Sequence, residues 1–361
     1  MSERPAIIAE GIPLAPLTSM SLGGPARYFA SCAHVDDIRL ALEWAASAQL
    51  PVQVLAGGSN TIFADVGFDG LVLKMGLRGV GIDDDDGEDA VVRAAAGEGW
   101  DDLVVRCIEA DLSGIECLSG IPGSVGATPM QNVGAYGQEV AQTVVSVRAI
   151  DRQSLEEVTF GNEECRFQYR ESRFKGEDRG RYIITEVTYC LKKEVRPQLR
   201  YEELIRHIAA AGSDLSQLSA GRHVSRAVRQ AVLSLRRRKS MVLDPADPNA
   251  RSVGSFFLNP VLSGEEFEDL QERWRRLNSA GEIVAFDDPA GRKVSAAWLV
   301  EQAGFTRGTR RLGAAISDHH ALAIVNDGGG ATAVLGLAAE IATAGHERFG
   351  VELQREPDIV A

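Results

Sequence analysis

Residues Gly114–Val140 read GIECLSGIPGSVGATPMQNVGAYGQEV, a stretch with more glycine than the interior of a helix or strand tolerates. Glycine recurs every third residue at Gly120, Gly123 and Gly126, and a second turn, GAYG, ends at Gly137. Because glycine leaves backbone N–H groups uncovered, successive N–H groups can converge on the oxygens of a diphosphate. By itself the pattern is also typical of a long structural loop with tight turns.

A second glycine-rich turn, LAGGSN at Leu55–Asn60, follows the apolar run Val52–Leu55. Its two glycines precede Ser59 and Asn60, whose short polar side chains suit a phosphate or a ribose. No GxGxxG motif opens a helix after a strand, so the sequence does not predict a Rossmann dinucleotide site. A dinucleotide must therefore be bound in another way.

Length and composition limit the class of protein. A chain of 361 residues is long for one hydrophobic core, which favours two or three domains. The net charge of −13 argues against nucleic-acid binding, since neutralising phosphates needs a basic surface. No apolar run approaches the roughly 20 residues of a membrane span, and the N-terminus lacks the apolar segment of a signal peptide. We therefore expect a cytoplasmic protein without membrane insertion.

The five cysteines have no metal-type spacing, so we expect them to be reduced and mostly buried, with no metal site. The adjacent His319 and His320 do not change this prediction, because adjacent histidines point apart and no third ligand is evident. The acidic run that begins at Asp83 is interpreted as a solvated hairpin loop.

Periodicity predicts alternating helices and strands. Helices are expected at Val35–Ser47 and His223–Lys239, and a strand at Val52–Leu55. Ser263, three residues before a glutamate, predicts a capping box at the start of a further helix. The last strand is expected at Val351–Leu353.

Together with other motifs in chain order, the two glycine loops resemble the UDP-N-acetylenolpyruvoylglucosamine reductase family. The resemblance covers nearly the whole chain, and its other motifs are SLGGPARYF (Ser21–Phe29), YRESRFK (Tyr169–Lys175), PQLRYEEL (Pro197–Leu204), KSMVLDP (Lys239–Pro245), GSFFLNP (Gly254–Pro260) and the C-terminal Glu356.

The resemblance implies a mixed α+β and α/β multidomain fold. A two-subdomain FAD-binding module of the vanillyl-alcohol-oxidase-like type would be formed by residues 1–75, with 351–361, and residues 76–221. Residues 236–350 would form an α/β substrate-binding domain. It also implies FAD as cofactor and NADPH as hydride donor. The expected substrate is UDP-N-acetylglucosamine enolpyruvate, reduced to UDP-N-acetylmuramate for peptidoglycan synthesis, and the expected state is a monomer or weak dimer.

Residue roles follow from the same resemblance. Ser255 would protonate the substrate, while Arg170 and Glu356 would act on its carboxylate. The residues implied to bind the cofactor are Gly57, Gly58, Ser59, Asn60, Ile121, Pro122, Gly123, Ser124, Gly126, Ala127, Asn132, Gly134, Ala135, Tyr136, Gly137 and Ile184. The residues implied to bind substrate are Tyr169, Tyr201, Lys239 and Asn259, and His320 falls only loosely at a substrate-side position.

One motif departs from the family pattern. The usual leucine–x–proline–glutamate becomes Leu353-Gln354-Arg355-Glu356, with Pro357 after it, so Asp358 stays an alternative to Glu356. Two other functions also remain open. One is an FAD-linked oxidase of another alcohol, and the other is a non-redox sugar-nucleotide transferase or binding module.

Overall fold

The computed structural model describes residues 3–83, 87–193, 197–212, 214–277 and 281–361. The helices in these ranges are α1 Val35–Ser47, α2 Trp100–Glu109, α3 Glu202–Ala210, α4 Arg222–Arg238, α5 Gly264–Arg276, α6 Ala296–Gln302 and α7 Gly330–Phe349. The strands are β1 Ile8–Pro13, β2 Pro25–Cys32, β3 Val52–Leu55, β4 Thr61–Phe63, β5 Phe68–Met75, β6 Val80–Asp83, β7 Asp89–Ala95, β8 Leu112–Ser113, β9 Gly134–Ala135, β10 Gln138–Glu139, β11 Val144–Asp151, β12 Glu157–Gly161, β13 Tyr182–Lys193, β14 Val261–Leu262, β15 Ala285–Asp288, β16 Gly291–Val294, β17 Arg310–Arg311, β18 Ala314–Ile316, β19 Ile324–Asn326 and β20 Asp358–Val360.

The chain forms two compact units, and each contains segments that are distant in sequence. The first unit consists of Met1–Ile12, Ala26–Gly58 and Asp69–Val242, and the second consists of Pro13–Pro25, Ser59–Phe68 and Leu243–Ala361. The last boundary, after Val242, directly precedes the proline-rich segment DPADPNARS. The division into three regions expected from the sequence stays a prediction.

The first unit contains two larger sheets and the two-stranded sheet β10-β9. One of the larger sheets has the strand order β1-β2-β5-β3, and the other has the order β12-β11-β13-β7-β6, with β8 pairing with β13. The long strand β13 alternates buried and exposed residues because one face of its sheet packs on the core. Helix α2 buries Leu103, Val104 and Cys107 in that core, and α3 and α4 enclose a smaller one.

The second unit builds its core around α5, α6 and α7. Trp274, Trp298 and Phe349 pack together there, with the two tryptophan rings 4.8 Å apart. Three small sheets surround this core, with the orders β14-β16-β15, β17-β18-β19 and β20-β4. The unit is thus a mixed α/β body.

Local patterns predicted several elements well. Helix α1 and strand β3 have the expected bounds, and α4 begins and ends one residue before the expected positions. The capping box is also confirmed, because Ser263 Oγ accepts from the Glu266 N–H at 3.3 Å and the Glu266 carboxylate accepts from the Ser263 N–H at 2.8 Å.

The strand predicted at Val351–Leu353 is wrong, since that segment is irregular and the final strand is Asp358–Val360. Val351 and Leu353 are buried against the helices, so their alternation reflects burial rather than a β-ladder. The acidic run lies between the antiparallel strands β6 and β7, and residues 84–86 of it lie outside the described residues.

Four of the five cysteines are buried free thiols, and Cys190 is half-buried. Burial raises the pKa of Cys32, Cys107 and Cys165 to about 12, so these thiols are unreactive near neutral pH. The expectation of reduced, mostly buried cysteines is confirmed.

Candidate functional site

The two glycine loops of the first unit touch each other backbone to backbone. A Cβ atom placed on Gly57 would lie 2.4 Å from the Cα of Gly123 and 3.1 Å from the nitrogen of Ser124. Gly58 and Gly123 have positive φ angles of 69° and 123°, which favour glycine. The loops LAGGSN and IPGS therefore form one surface that only glycine permits at the point of contact.

This surface presents polar groups that the protein does not use. Among the described residues, none accepts a hydrogen bond from the backbone N–H of Gly57, Gly58, Gly123 or Ser124. The Ser124 hydroxyl is buried and also lacks a partner there. Buried polar groups are rarely left unpaired in native proteins, so these groups fit an anionic ligand such as a diphosphate.

Two helices hold the loop at Gly120. The Gly120 N–H donates to the Asp101 carboxylate at 2.6 Å, and Arg229 Nη2 of α4 donates to the same carboxylate at 2.7 Å. Burial acts to raise the pKa of Asp101, but the hydrogen bonds from Arg229 and Gly120 outweigh it, and the pKa is lowered. Asp101 therefore stays ionised and fixes the start of the IPGS loop.

The GAYG turn gathers several predicted site residues in the first unit. Arg170 Nη2 donates to the Gly134 carbonyl at 2.6 Å, and its guanidinium lies 5.5 Å from the centre of the Tyr169 ring. The Tyr136 ring meets the Tyr201 ring edge-on, with centroids 5.4 Å apart. Burial raises the pKa of Tyr136 to about 12, so its phenol remains a neutral hydrogen-bond donor at neutral pH.

Asn132 is engaged within the protein. Its amide nitrogen donates to the Glu139 carboxylate at 2.8 Å and to the Gln168 carbonyl at 3.0 Å, and its oxygen accepts from the Ala141 N–H at 3.1 Å. The side chain therefore shapes the loop, and the predicted contact between Asn132 and the cofactor stays a prediction.

The remaining predicted residues of the first unit support the loops or lie beside them. Gly126 packs so closely that an added Cβ would lie 2.5 Å from that of Ala96, and Gly137 lies against Arg200. Lys239 forms an ion pair with Glu203 at 2.9 Å. Ile121, Pro122, Ala127 and Ala135 are partly buried in the loop, and Ile184 is buried on β13.

The second unit pairs the segment that contains Ser255 with the segment that contains Glu356. The Glu356 N–H donates to the Phe256 carbonyl at 2.9 Å, and the Leu258 N–H donates to Gln354 at 2.9 Å. These antiparallel contacts align GSFFLNP with the C-terminal segment and place Glu356 opposite Phe256, the residue after Ser255, although the motif around Glu356 departs from the family pattern.

Asn60 joins the same place. Its side-chain amide nitrogen donates to the Glu356 backbone carbonyl at 3.3 Å, and its backbone carbonyl accepts from the Asp358 N–H at 2.9 Å. Asp358 belongs to β20 and pairs with Thr61. Ser59 also belongs to this second unit. Asn60 is thus joined by hydrogen bonds to Glu356 and Asp358.

His320 and Asn259 serve the second unit's backbone. His320 Nδ1 accepts from the Leu322 N–H at 3.1 Å, which requires that this nitrogen is unprotonated. The Leu322 carbonyl in turn accepts from the Phe256 N–H at 2.8 Å, so His320 is linked to the Ser255 segment. Asn259 Oδ1 accepts from the Ala296 N–H at 2.9 Å at the start of α6.

Two further observations concern the described residues as a set. Within the five described ranges, no three histidine, cysteine or acidic side chains cluster so that they could hold a metal ion. In the same ranges, each helix is too short or too polar to span a lipid bilayer.

Sequence reasoning did not single out Asp101, Glu116 or Gln138, whose side chains hold the central loop. No local signal marks them, because their partners are backbone groups or side chains elsewhere in the fold. By contrast, glycine spacing marked the two turns whose backbones can be approached closely, although not that they touch each other.

Comparison with known proteins identifies the family. Residues 26–156 match the FAD binding domain family, and residues 245–360 match the C-terminal domain of UDP-N-acetylenolpyruvoylglucosamine reductase. The protein of that name from Streptomyces coelicolor is 44% identical to this chain, over 96% of this chain and 88% of the relative. The protein of that name from Thermobifida fusca is 43% identical, over 98% of both chains. The relative from Mycobacterium tuberculosis shares 42% identity over 98% of this chain and 95% of its own.

A solved structure supports the fold. UDP-N-acetylenolpyruvylglucosamine reductase from Thermus caldophilus superposes with a TM-score of 0.61 at 22% identity, covering 98% of both chains. The prediction of an FAD-binding module followed by a further domain, within a mixed α/β fold, is thereby confirmed. The chain belongs to the UDP-N-acetylenolpyruvoylglucosamine reductase family.

Proposed function

We propose that the protein is an FAD-dependent reductase that uses NADPH to convert UDP-N-acetylglucosamine enolpyruvate into UDP-N-acetylmuramate for peptidoglycan synthesis. The observation that carries this proposal is the surface where Gly57 meets Gly123, with unpaired N–H groups and the unpartnered Ser124 hydroxyl. These groups suit the diphosphate of FAD. The family relationship supports the substrate.

The reaction explains why these residue types are needed. Reduction of an enolpyruvyl ether adds a hydride to the methylene carbon and a proton to its neighbour, and no amino acid side chain delivers hydride. Bound FAD would accept the hydride from NADPH and supply it to the substrate. The protein must then hold the substrate, supply a proton and stabilise negative charge at its carboxylate.

We assign the proton to the Ser255 Oγ–H group, which would donate to the central carbon of the enolpyruvyl group. A serine hydroxyl is a poor acid, so its use as a donor needs a neighbouring group that lowers the cost of losing the proton. A cation or a chain of water molecules would do this, and Lys239 is the candidate that its motif suggests. Glu356 would act with Arg170 on the substrate carboxylate, and its backbone hydrogen bond to Phe256, the residue after Ser255, supports a role near Ser255.

Arg170 would bind the substrate carboxylate through its planar guanidinium, which can donate two parallel hydrogen bonds. Its hydrogen bond to the Gly134 carbonyl fixes the fork against the cofactor loop. Tyr169, Tyr201, Lys239 and Asn259 are assigned to the rest of the sugar nucleotide. A cytoplasmic location and a monomeric or weakly dimeric state belong to the same proposal.

Anaerobic spectroscopy tests both half-reactions. The purified protein should be yellow, bleach on addition of NADPH without air, and regain the oxidised flavin spectrum when UDP-N-acetylglucosamine enolpyruvate is added. An oxidase would instead be reoxidised rapidly by oxygen and would ignore the substrate. A colourless protein that does not take up added FAD would reject the proposal and favour a non-redox sugar-nucleotide protein.

The variant Ser255→Ala tests the proton donor. Removing the hydroxyl should leave bleaching by NADPH at its normal rate, because that step needs no proton from Ser255, while reoxidation by substrate should be nearly lost. Stopped-flow absorbance measures the two steps in one protein, so the first step serves as the control. Normal substrate turnover would remove Ser255 from its assigned role.

A further inference from the structure

Glu116 is a buried carboxylate at the start of the central glycine stretch. It is only 1% exposed, and no lysine, arginine or histidine among the described residues forms an ion pair with it. One carboxylate oxygen accepts from the Gly114 N–H at 2.6 Å, and the other accepts from Gln138 Nε2 at 2.6 Å. Burying a carboxylate costs free energy. Such a group is therefore expected where its hydrogen bonds hold neighbouring parts of the chain in place.

Gln138 completes the arrangement from the other end of the stretch. Its amide oxygen accepts from the Cys117 N–H at 2.8 Å, while its amide nitrogen donates to Glu116. Two of these three short hydrogen bonds therefore tie the beginning of Gly114–Val140 to its end, and the third binds Glu116 to Gly114 within the beginning. We call Glu116 and Gln138 the buried clamp.

The segment enclosed by the buried clamp carries both glycine turns. IPGS meets Gly57, and GAYG binds Arg170 and faces Tyr201. The hydrogen bonds of the clamp run to the N–H groups of Gly114 and Cys117 and between its two side chains, so these polar atoms are used within the protein. It can act on a ligand only by fixing the loop.

We propose that Glu116 and Gln138 are positioning residues for the flavin cofactor. The hydrogen bonds of this buried pair keep the IPGS and GAYG turns in the geometry that presents their N–H groups to the cofactor diphosphate. This inference rests on the proposed binding of FAD. It predicts that substitutions in the clamp raise the Kd for FAD by more than their effect on folding explains.

Exchanging the two side chains provides the test. Glu116→Gln replaces one acceptor oxygen by an NH₂ group and loses one hydrogen bond, and Gln138→Glu places a second carboxylate against the first. In the double exchange, the new amide donates to the new carboxylate, so all three hydrogen bonds can form again. Glu109→Gln is the charge control, because Glu109 is an exposed residue of α2 paired with Arg226.

Two quantities are measured for each apoprotein: the Kd for FAD from quenching of flavin fluorescence, and the unfolding midpoint without FAD. Each single clamp variant should weaken FAD binding at least about tenfold, while the double exchange returns to within about threefold of wild type. The Glu109→Gln protein should bind FAD normally. Because Glu116→Gln is nearly isosteric, it and the double exchange decide the question even when Gln138→Glu does not fold.

Two results would overturn the inference. The first is a normal Kd for FAD in Glu116→Gln with only a lower unfolding midpoint, which would make the clamp purely structural. The second is a double exchange that binds FAD as weakly as the single variants. A wild-type protein that does not bind FAD would instead refute the proposed function, so the two failures are distinguishable.

Discussion

The two arginines of the motif YRESRFK differ in what they can contribute to anion binding at the proposed site. Arg170 has a left-handed backbone conformation, with φ of 55°, and its guanidinium reaches back to the carbonyl of Gly134. Arg173, three residues later, instead donates to Asp178 at 2.7 Å and lies 4.4 Å from the centre of the Phe160 ring. The motif YRESRFK therefore contains one arginine at the glycine turn and one that stabilises its own segment.

Replacing each arginine by lysine should separate these roles. Arg170→Lys should lower kcat/KM by about 100-fold or more, since a lysine cannot contact Gly134 and also bind a carboxylate with two parallel hydrogen bonds. Arg173→Lys keeps a cation near Asp178 and should change kcat/KM by less than about threefold. Steady-state kinetics with the enolpyruvyl substrate measures both, and equal losses would contradict the assignment.

At the scale of single residues, the sequence indicated candidate site residues better than it indicated their hydrogen-bond partners. Motif order pointed to Ser255 and Glu356, and the fold pairs the segments that contain them in the second unit. The sequence did not reveal that the side-chain amide of Asn132 donates a hydrogen bond to Glu139. Hydrogen-bond partners depend on which distant segments pack together, and residue type alone does not specify them.

Elements differ in how far their own sequence determines them. Helix α1 follows directly from apolar spacing, because it buries one continuous face. Strand β3 follows from a short apolar run that pairs with β5, although only Leu55 of it is buried. The segment Val351–Leu353 has a strand-like alternation but no strand partner, so burial alone explains its pattern. Loops need more than periodicity, since their shape depends on what they touch.

The contact between the two glycine loops gives a prediction for the LAGGSN turn. Gly57→Ala should weaken FAD binding at least about tenfold, because its methyl group would lie 2.4 Å from the Cα of Gly123 and force the loops apart. Gly81→Ala is a matched control in the same unit, since nothing lies within 4 Å of its added Cβ. Fluorescence titration with FAD measures both, and equal affinities would contradict the proposed cradle.

Helix α7 begins at a carboxylate supplied by another segment. Asp65 accepts hydrogen bonds from the Ala331 N–H at 2.7 Å and from the Thr332 N–H at 3.0 Å. Burial acts to raise the pKa of Asp65, but the hydrogen bonds from Thr332 and Ala331 outweigh it and lower the pKa below 3.8. The ionised carboxylate therefore stabilises the folded state above this value, and that stabilisation is lost as pH falls through the folded-state pKa.

Asp65→Asn should consequently lower the free energy of unfolding by about 1 kcal/mol at neutral pH, because it removes the charge at the helix N-terminus and one of the two acceptor oxygens. The difference from wild type should shrink as the pH falls below about 4. Urea denaturation at several pH values measures it, with Asp69→Asn as an exposed control. A difference that persists undiminished in acid would show that the charge of Asp65 does not stabilise α7.

The whole molecule carries a net charge of −13, yet its proposed ligands are anions. Long-range attraction therefore does not favour them, and binding must depend on local donors such as backbone N–H groups, Arg170 and Lys239. A ligand bound by such fixed local groups stabilises the folded protein in proportion to its occupancy.

FAD should accordingly raise the unfolding temperature of the apoprotein in a concentration-dependent way. At about 100 times its Kd, it should add about 2.7 kcal/mol to the free energy of unfolding. Differential scanning calorimetry of wild type and Gly57→Ala tests this expectation, and the variant should show a smaller shift at equal FAD concentration. An identical shift in both proteins would place the stabilising contacts away from the glycine loops.

The sequence by itself determined the family, the mixed α/β character, the bounds of α1 and β3, and the glycine positions where the backbone can be approached closely. These features depend on residue type and short-range spacing, which the chain carries locally. Only the tertiary structure decided that Gly57 touches Gly123, that Glu356 pairs with Phe256, and that Glu116 and Gln138 join the ends of the central stretch. Each of these contacts joins segments far apart in the chain, so it exists only once the intervening elements have packed.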